Sequence, residues 1–380
     1  MYHIKHMNFP IHLQLKLDAR IENGEFRKLR VYDNSAIDFF SNDYLGLAKN
    51  KTIIEENSTT KVERNGATGS RLISGNSHFY NEVENYLAAF YQTKSALLFP
   101  SGYLANVGLL AALPQKNDTI LFDEYVHASI RDGIRLSFAD SISFKHNDFI
   151  DLEQKIQTIK GNCFVVVESL YSMDGDFFDL EKLIFLCEKY NAYLIVDEAH
   201  SSGIYGKYGE GMVASQTHER IIARVHTFGK ALGSHGAVVV GSEKLKEYLV
   251  NFCRPFIYST GLSDYSLIHI KNAHQVIKNS HLEREKLQEI IAYFKLKITS
   301  SNYLSQFLDS FSPIQALMGE KSFLKEIETK LQQNNFLVKA IYSPSVKRDK
   351  ERIRICLHSF NTKKEIDLLF NLLCELSVEN

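Results

Sequence analysis

From about residue 95 to 260 the chain alternates short apolar runs with helix-periodic text, and this alternation constrains the fold more than any other feature. The runs SALLF, TILFD, CFVVVES, YLIVDEA, VHTF and GAVVVGS are interleaved with YLANVGLLAAL, DGIRLSFA and DLEKLIFLCEKYN. Strands alternating with helices mean βαβ units and a mostly parallel sheet, so the class is α/β.

The flanks read differently. Before residue 41 the text mixes charge, His and short apolar runs, and LQLKLDARIENGEFRKLR is amphipathic, which predicts a helical arm. NEVENYLAAFYQ, residues 81–92, repeats apolar residues at helical spacing. After GLSDYS come a charged helical stretch, HLEREKLQEIIAYFKLKI, then a mixed segment ending RIRICLHSFNT, and a last amphipathic helix. The expected parts are an arm, 1–40, a large domain, 41–275, and a smaller α+β domain, 276–380.

Composition narrows the partners. Among 380 residues, 44 Lys and Arg face 45 Asp and Glu, so no global charge favours a nucleic acid. The five cysteines form no CxxC pair, the pattern of reduced intracellular thiols. No apolar h-region with a small-residue cleavage site opens the chain, and Pro100, Ser101, Gly102 and Asn106 break the uncharged stretch 95–114 into halves too short to span a bilayer. The expected compartment is the cytoplasm.

In open parallel sheets, ligands sit beyond the carboxyl ends of the strands. Four strand ends carry polar residues there: Glu168, Ser169 and Ser172 after CFVVV; Asp197, Glu198 and His200 after YLIV; Thr227 and Lys230 in HTFGK; and Ser101, Gly102 and Tyr103 after ALLFP. The last group starts a helix, where free N–H groups favour an anion, although Ser-Gly at that place is also ordinary capping chemistry. VDEAH invites a nucleotide-hydrolase reading, but no GxxxxGK[ST] loop exists: Gly206-Lys207 runs into Tyr208 and Gly229-Lys230 into Ala231. GxSxG is absent, and no HExxH or Cys/His grouping offers a metal site.

Lys230 discriminates among what is left. Alone it could equally reach solvent on its long stem. With desolvating walls and other cationic or dipolar groups nearby, its amine has a lowered pKa and can form a Schiff base with a carbonyl. Asp197 can pair with a protonated pyridine, while Gly102, Tyr103 and Thr227 can hold a phosphate. A Lys, an acid for the ring nitrogen and a phosphate cup are what pyridoxal phosphate requires. At about 4 Å and an effective dielectric near 20, a carboxylate–pyridinium pair gains roughly 4 kcal/mol before desolvation, enough to raise the ring nitrogen's pKa materially. His127 on its own is an ordinary His; stacked over a cofactor ring it would be better used.

Nine strings in order carry a resemblance: FFSNDYLGLA, GATGSRLISGN, FPSGYLAN, DEYVHASIRDG, ESLYSMDGD, VDEAHSSGIYGKYGEG, HTFGKALGSHGA, IYSTGL and RIRICLHSFNT. From about residue 14 onward the chain resembles the α-oxoamine synthases, fold-type I pyridoxal phosphate enzymes that join an amino acid to an acyl thioester with loss of carbon dioxide. The resemblance implies a seven-stranded, mostly parallel sheet with helices on both faces. It implies that Lys230 binds the cofactor covalently and moves the substrate's α-proton, that Asp197 pairs with the ring nitrogen, and that His200 and Ser172 bond the ring oxygen. His127 would stack on the ring and meet substrate; Gly102, Tyr103 and Thr227 would bind the cofactor and its phosphate. Thr260 would complete the phosphate site across a homodimer interface. Arg354 would take the amino-acid carboxylate, with Asn42, Arg27 and Ser345 on the substrate side. The implied partners are a small amino acid and an acyl-CoA or acyl-carrier-protein thioester. Two segments depart from the family's usual text: an AIRPPTVP-like segment reads AIYSPSVKRDKERIR here, with Tyr342 at the Arg and Ser345 at the Thr, and GSGGSGHVSG is replaced by GATGSRLISGN.

Overall fold

Strand-forming runs buried on both faces organise the molecule. The computed structural model describes residues 9–33, 35–216, 218–343 and 345–378, so the first eight residues of the expected arm lie outside the described residues. Strands β1 (Ile37–Asp38), β2 (Ser95–Phe99), β3 (Thr119–Asp123), β4 (Asp140–Phe144), β5 (Cys163–Glu168), β6 (Tyr193–Asp197), β7 (Ile221–Thr227) and β8 (Ala237–Gly241) precede β9 (Ile314–Met318), β10 (Phe336–Leu337), β11 (Lys339–Ile341) and β12 (Arg352–Cys356). The large sheet has seven strands in the order β2-β8-β7-β6-β5-β3-β4. All its pairings are parallel except those of β8, which runs antiparallel to both β2 and β7. An antiparallel neighbour needs no crossover helix, so β7 reaches β8 through residues 228–236 alone, and that short link carries Lys230.

Alternate residues of the central strands serve opposite cores, as the two-residue strand period requires. Ile120, Phe164, Val166, Ile195 and Val225 enter one apolar cluster; Leu121, Val165, Val167, Leu194 and Val196 enter another. Each such fully buried side chain contributes about 1.5–3 kcal/mol of transfer free energy. A third cluster joins Leu98, Val238 and Val240 of the large sheet to Ile353 and Leu369 near the C-terminus. There a three-stranded antiparallel sheet, β11-β12-β9, packs with helices His281–Thr299, Lys321–Gln333 and Lys363–Val378. β1 pairs with β10, which ties residues 37–38 to this C-terminal part.

Helices α1 (Ile11–Glu22), α2 (Lys51–Thr59), α3 (His78–Phe90), α4 (Gly102–Ala112) and α5 (Ala128–Leu136) include the expected helix after residue 80 and the expected arm helix, but α1 is shorter than its amphipathic text. It stops at Asn23, because Gly24 takes φ +66°, a left-handed conformation that ends a helix. Among the described residues no helix is long and apolar enough to cross a membrane.

Candidate active site

The carboxyl ends of β5, β6 and β7 and the N-termini of α4 and α5 surround a cavity of about 260 Å³. Larger hollows of about 800, 660 and 410 Å³ exist elsewhere, but none gathers the carboxyl ends of the parallel strands. Asp197 ends β6 and Glu168 ends β5 at the paired register position, so the two carboxyl groups stand side by side. Both Asp197 oxygens are held: Oδ1 accepts from the Ala199 N–H at 2.8 Å and Oδ2 from Asn106 Nδ2 at 2.7 Å. Glu168 Oε1 accepts from the His127 N–H at 2.5 Å. Burial first, then the charge of Asp197, pushes Glu168 up to about 8, against the pull of Lys230 and that N–H.

Lys230 projects into the cavity from the turn after β7, whose Gly233 N–H donates to the Lys230 carbonyl at 2.8 Å. Gly233 has φ +56°, and a Cβ there would stand 2.3 Å from Ala48 N, so the turn needs glycine. Lys230 is half-buried in the cavity wall, which strips water from its amine. That desolvation lowers its pKa to about 8, although Asp197 and Glu168 hold it up.

His127 caps α5: its Nδ1 accepts from the Ser129 N–H at 3.2 Å, and its ring borders the cavity. His200 is buried after β6, its Nδ1 2.8 Å from the Tyr44 hydroxyl. Burial, then the charges of Lys230 and Arg354, keeps His200 well below the ordinary range and therefore neutral. Arg354, on β12, donates Nε–H to the Ser172 carbonyl at 2.6 Å and Nη2–H to Asn42 Oδ1 at 2.8 Å, with Tyr44 Oη at 3.3 Å.

The phosphate end can be tested on an unfilled group. Thr227 Oγ1 is buried with no hydrogen-bond partner among the described residues, and the Thr227 side chain packs through Cγ2 against the first turn of α4. Ser101 caps that helix, accepting from the Leu104 N–H at 3.3 Å, so its side chain does the ordinary capping work. At Gly102 a Cβ would lie 2.2 Å from Thr227 Cγ2; only glycine lets the helix start meet the strand end. An unpaired hydroxyl beside a helix N-terminus suits a phosphate, and a desolvated lysine beside an acid suits the rest of pyridoxal phosphate. The residues fit the cofactor.

Lys230, Asp197, His200, His127, Gly102, Tyr103, Thr227 and Asn42 thus line one cavity, and Arg354 and the Ser172 backbone adjoin it through Asn42 and Tyr44. Tyr103 bonds Asp132 through its hydroxyl. Within one chain Arg27, Thr260 and Ser345 are exposed and outside this lining, and Tyr342 lines the separate hollow of about 800 Å³. Sequence reasoning gave no role to Asn106, Ser129, Tyr44 or Glu168. A lone Asn in the apolar helix text YLANVGLLAAL was the available signal for the first.

Fold and site define the class: a fold-type I pyridoxal phosphate transferase. The aminotransferase class I and II family matches residues 34–372. The 8-amino-7-oxononanoate synthase of Emericella nidulans is 37% identical over 371 residues, 90% of this chain and 89% of that one. Its namesake in Lysinibacillus sphaericus is 32% identical over 375 residues, covering 94% and 96%. The solved 8-amino-7-oxononanoate synthase of Francisella tularensis superposes with TM-score 0.76 at 30% identity, covering 91% of this chain and 99% of that one. Serine palmitoyltransferase of S. paucimobilis, solved with bound PLP-myriocin, has TM-score 0.89 over 97% of both chains; at 24% identity it speaks for the fold alone. The chain belongs to the aminotransferase class I and II family and, within it, to the α-oxoamine synthases. It is a pyridoxal-phosphate-dependent acyltransferase.

Proposed function

We propose that this protein condenses L-alanine with a pimeloyl thioester, carried on CoA or on a carrier protein, releasing carbon dioxide and giving 8-amino-7-oxononanoate for biotin synthesis. The observation that carries this reading is likeness over nine-tenths of the chain to proteins bearing that activity in their names. A cavity of about 260 Å³ that also takes the cofactor supports a small amino acid.

Bound pyridoxal phosphate supplies an electron sink for the carbanion at the amino acid's α-carbon. The chain's own residues do the rest. Lys230 would hold the cofactor's carbonyl carbon, and its amine would be the base that takes the substrate's α-proton and returns one. Asp197, with both oxygens pinned, would pair with the ring nitrogen and favour its protonated form. His200, kept neutral, and Ser172 would orient the ring oxygen, His127 would cover the ring and meet substrate, and Thr227, Gly102 and Tyr103 would seat the phosphate end. Arg354 clamps the substrate carboxylate with its planar fork, with Asn42 beside it. Arg27 and Ser345 are assigned to the substrate side. We place the protein in the cytoplasm, which its lack of disulfides among the described residues supports, and divide it into the arm, the large domain to about residue 275 and the small domain. It works as a homodimer in which Thr260 of each copy reaches the other's phosphate site; its exposed position supports that role.

The test is direct. With pyridoxal phosphate the protein should turn yellow, and alanine with pimeloyl-CoA should release free CoA thiol faster than glycine or serine with acetyl-, succinyl- or palmitoyl-CoA. A higher kcat/KM for any of those pairs would reassign it as glycine C-acetyltransferase, 5-aminolevulinate synthase or serine palmitoyltransferase. A protein that never acquires visible absorbance would be a non-catalytic partner subunit instead.

A further inference from the structure

We propose that Asn106 and Ser129 form a directional hydrogen-bond relay that couples Asp197 to His127 and fixes the His127 ring as its Nε2–H tautomer. Four contacts set the direction. Asp197 Oδ2 accepts at 2.7 Å, so the Asn106 atom facing it is the amide nitrogen, which only donates. The same nitrogen lies 3.0 Å from Ser129 Oγ and gives its second proton there. Ser129 Oγ, now an acceptor, turns its own proton to His127 Nδ1 at 2.8 Å. The Ser129 backbone N–H points to that same Nδ1 at 3.2 Å. Two donors converge on Nδ1, so it is bare and the ring proton sits on Nε2.

The surroundings favour this state. Asn106 and Ser129 are buried, 3% and 1% exposed, so water does not compete for their protons. Burial lowers the basicity of His127, against the charge of Asp197 and with that of Lys230, which keeps the ring neutral. The ring therefore presents an N–H donor on its free side, and the geometry of the carboxylate is transmitted to it through two small side chains. Asn106 and Ser129 are positioning residues, acting through Asp197 and His127. Their use in catalysis rests on the cofactor reading above; the direction of the relay does not.

The test reads the ring itself, in full-length protein labelled with 15N-histidine, with and without pyridoxal phosphate. The His127 signals are identified by their loss in His127→Asn. They should report protonated Nε2 and bare Nδ1 between about pH 6 and 8, the window in which a free histidine titrates. Ser129→Ala removes one donor and should lower the tautomer ratio roughly fivefold, the equivalent of about 1 kcal/mol. Asn106→Asp puts an acceptor where the relay starts, reverses the Ser129 proton and should move the His127 proton to Nδ1 or charge the ring. A merely structural role would lower Tm and leave the tautomer alone. Finding Nδ1–H in the unaltered protein, or an unchanged tautomer in Ser129→Ala, overturns the proposal. If Asn106→Asp does not fold, those two measurements still decide it, and failure to use alanine would leave them intact.

Discussion

Burial holds the Lys230 amine down at about 8, where an exposed lysine stays protonated to about 10.4. The neutral amine is the nucleophile, so cofactor capture by apo-protein should accelerate about tenfold per pH unit up to about 8 and then level off. Stopped-flow absorbance after adding pyridoxal phosphate measures this, and a rate still climbing at pH 10 would mean an unperturbed lysine. The sign for stability agrees: the folded state binds fewer protons here, so the penalty is full below about 8 and fades as pH rises toward the unfolded value. Arg354 is the second residue whose chemistry is not exchangeable. Its fork reaches the Ser172 carbonyl and Asn42 together, which a lysine's single ammonium cannot copy toward a carboxylate. Arg354→Lys should raise KM for the amino acid by roughly 10- to 150-fold, the worth of one hydrogen bond to a charged group, while kcat falls less. Steady-state kinetics with saturating thioester would show it, and an unchanged KM would remove Arg354 from the carboxylate site.

At the scale of elements, the site depends on how closely a helix start meets a strand end. Gly102→Ala would place a Cβ 2.2 Å from Thr227 Cγ2, so the Thr227 side chain must swing or α4 must withdraw. Either movement disturbs the unpaired Thr227 hydroxyl, and cofactor affinity should weaken about tenfold, the worth of one charge-assisted bond, with Tm little changed. Fluorescence titration with pyridoxal phosphate checks this; wild-type affinity would place the phosphate elsewhere. The strands that matter here were legible because β2, β5, β6 and β8 are near-continuous apolar runs, and the polar last residues of β5 and β6, Glu168 and Asp197, mark the cavity. The seventh strand, β4, could not be read that way, since DSISF is a sheet edge with four of five residues exposed. The extent of α1 differs from its text for the opposite reason: the periodicity continues past Gly24, but the left-handed turn there does not allow the helix to. Glu168 and Asp197 were visible as strand ends, yet their side-by-side placement is a matter of register, which one sequence does not state. Asn106 and Ser129 were hidden because their value lies in contacts between helices adjacent in space.

For the molecule as a whole, the C-terminal sheet and the large sheet meet through charge as well as apolar packing. Arg352 of β12 pairs with Asp174, and Lys347 bonds Glu124 at 2.6 Å, so the strand bearing Arg354 is anchored against the loops that follow β5 and β3. Within one chain, among the described residues, the phosphate end has the unpaired Thr227 hydroxyl and a helix start, a thin cup for a dianion. Thr260 stands outside it, bridged to Ser70, with Ile73 86% and Tyr258 72% exposed nearby in sequence, the apolar surroundings that a second copy would cover. If each copy lends Thr260 to its neighbour, Lys230→Ala and Thr260→Ala dimers must complement each other. A hybrid then has one site with both residues intact and one lacking both. In an equal, fully exchanged mixture half the dimers are hybrids, so about a quarter of wild-type sites return at limiting cofactor. Were Thr260 to serve its own chain, the hybrid would hold one site without Lys230 and one without Thr260, and mixing would restore nothing. Co-expression of the two variants under different tags, sequential purification of the hybrid and titration with pyridoxal phosphate separates these outcomes, because only exchange of Thr260 across the interface yields a site of wild-type affinity.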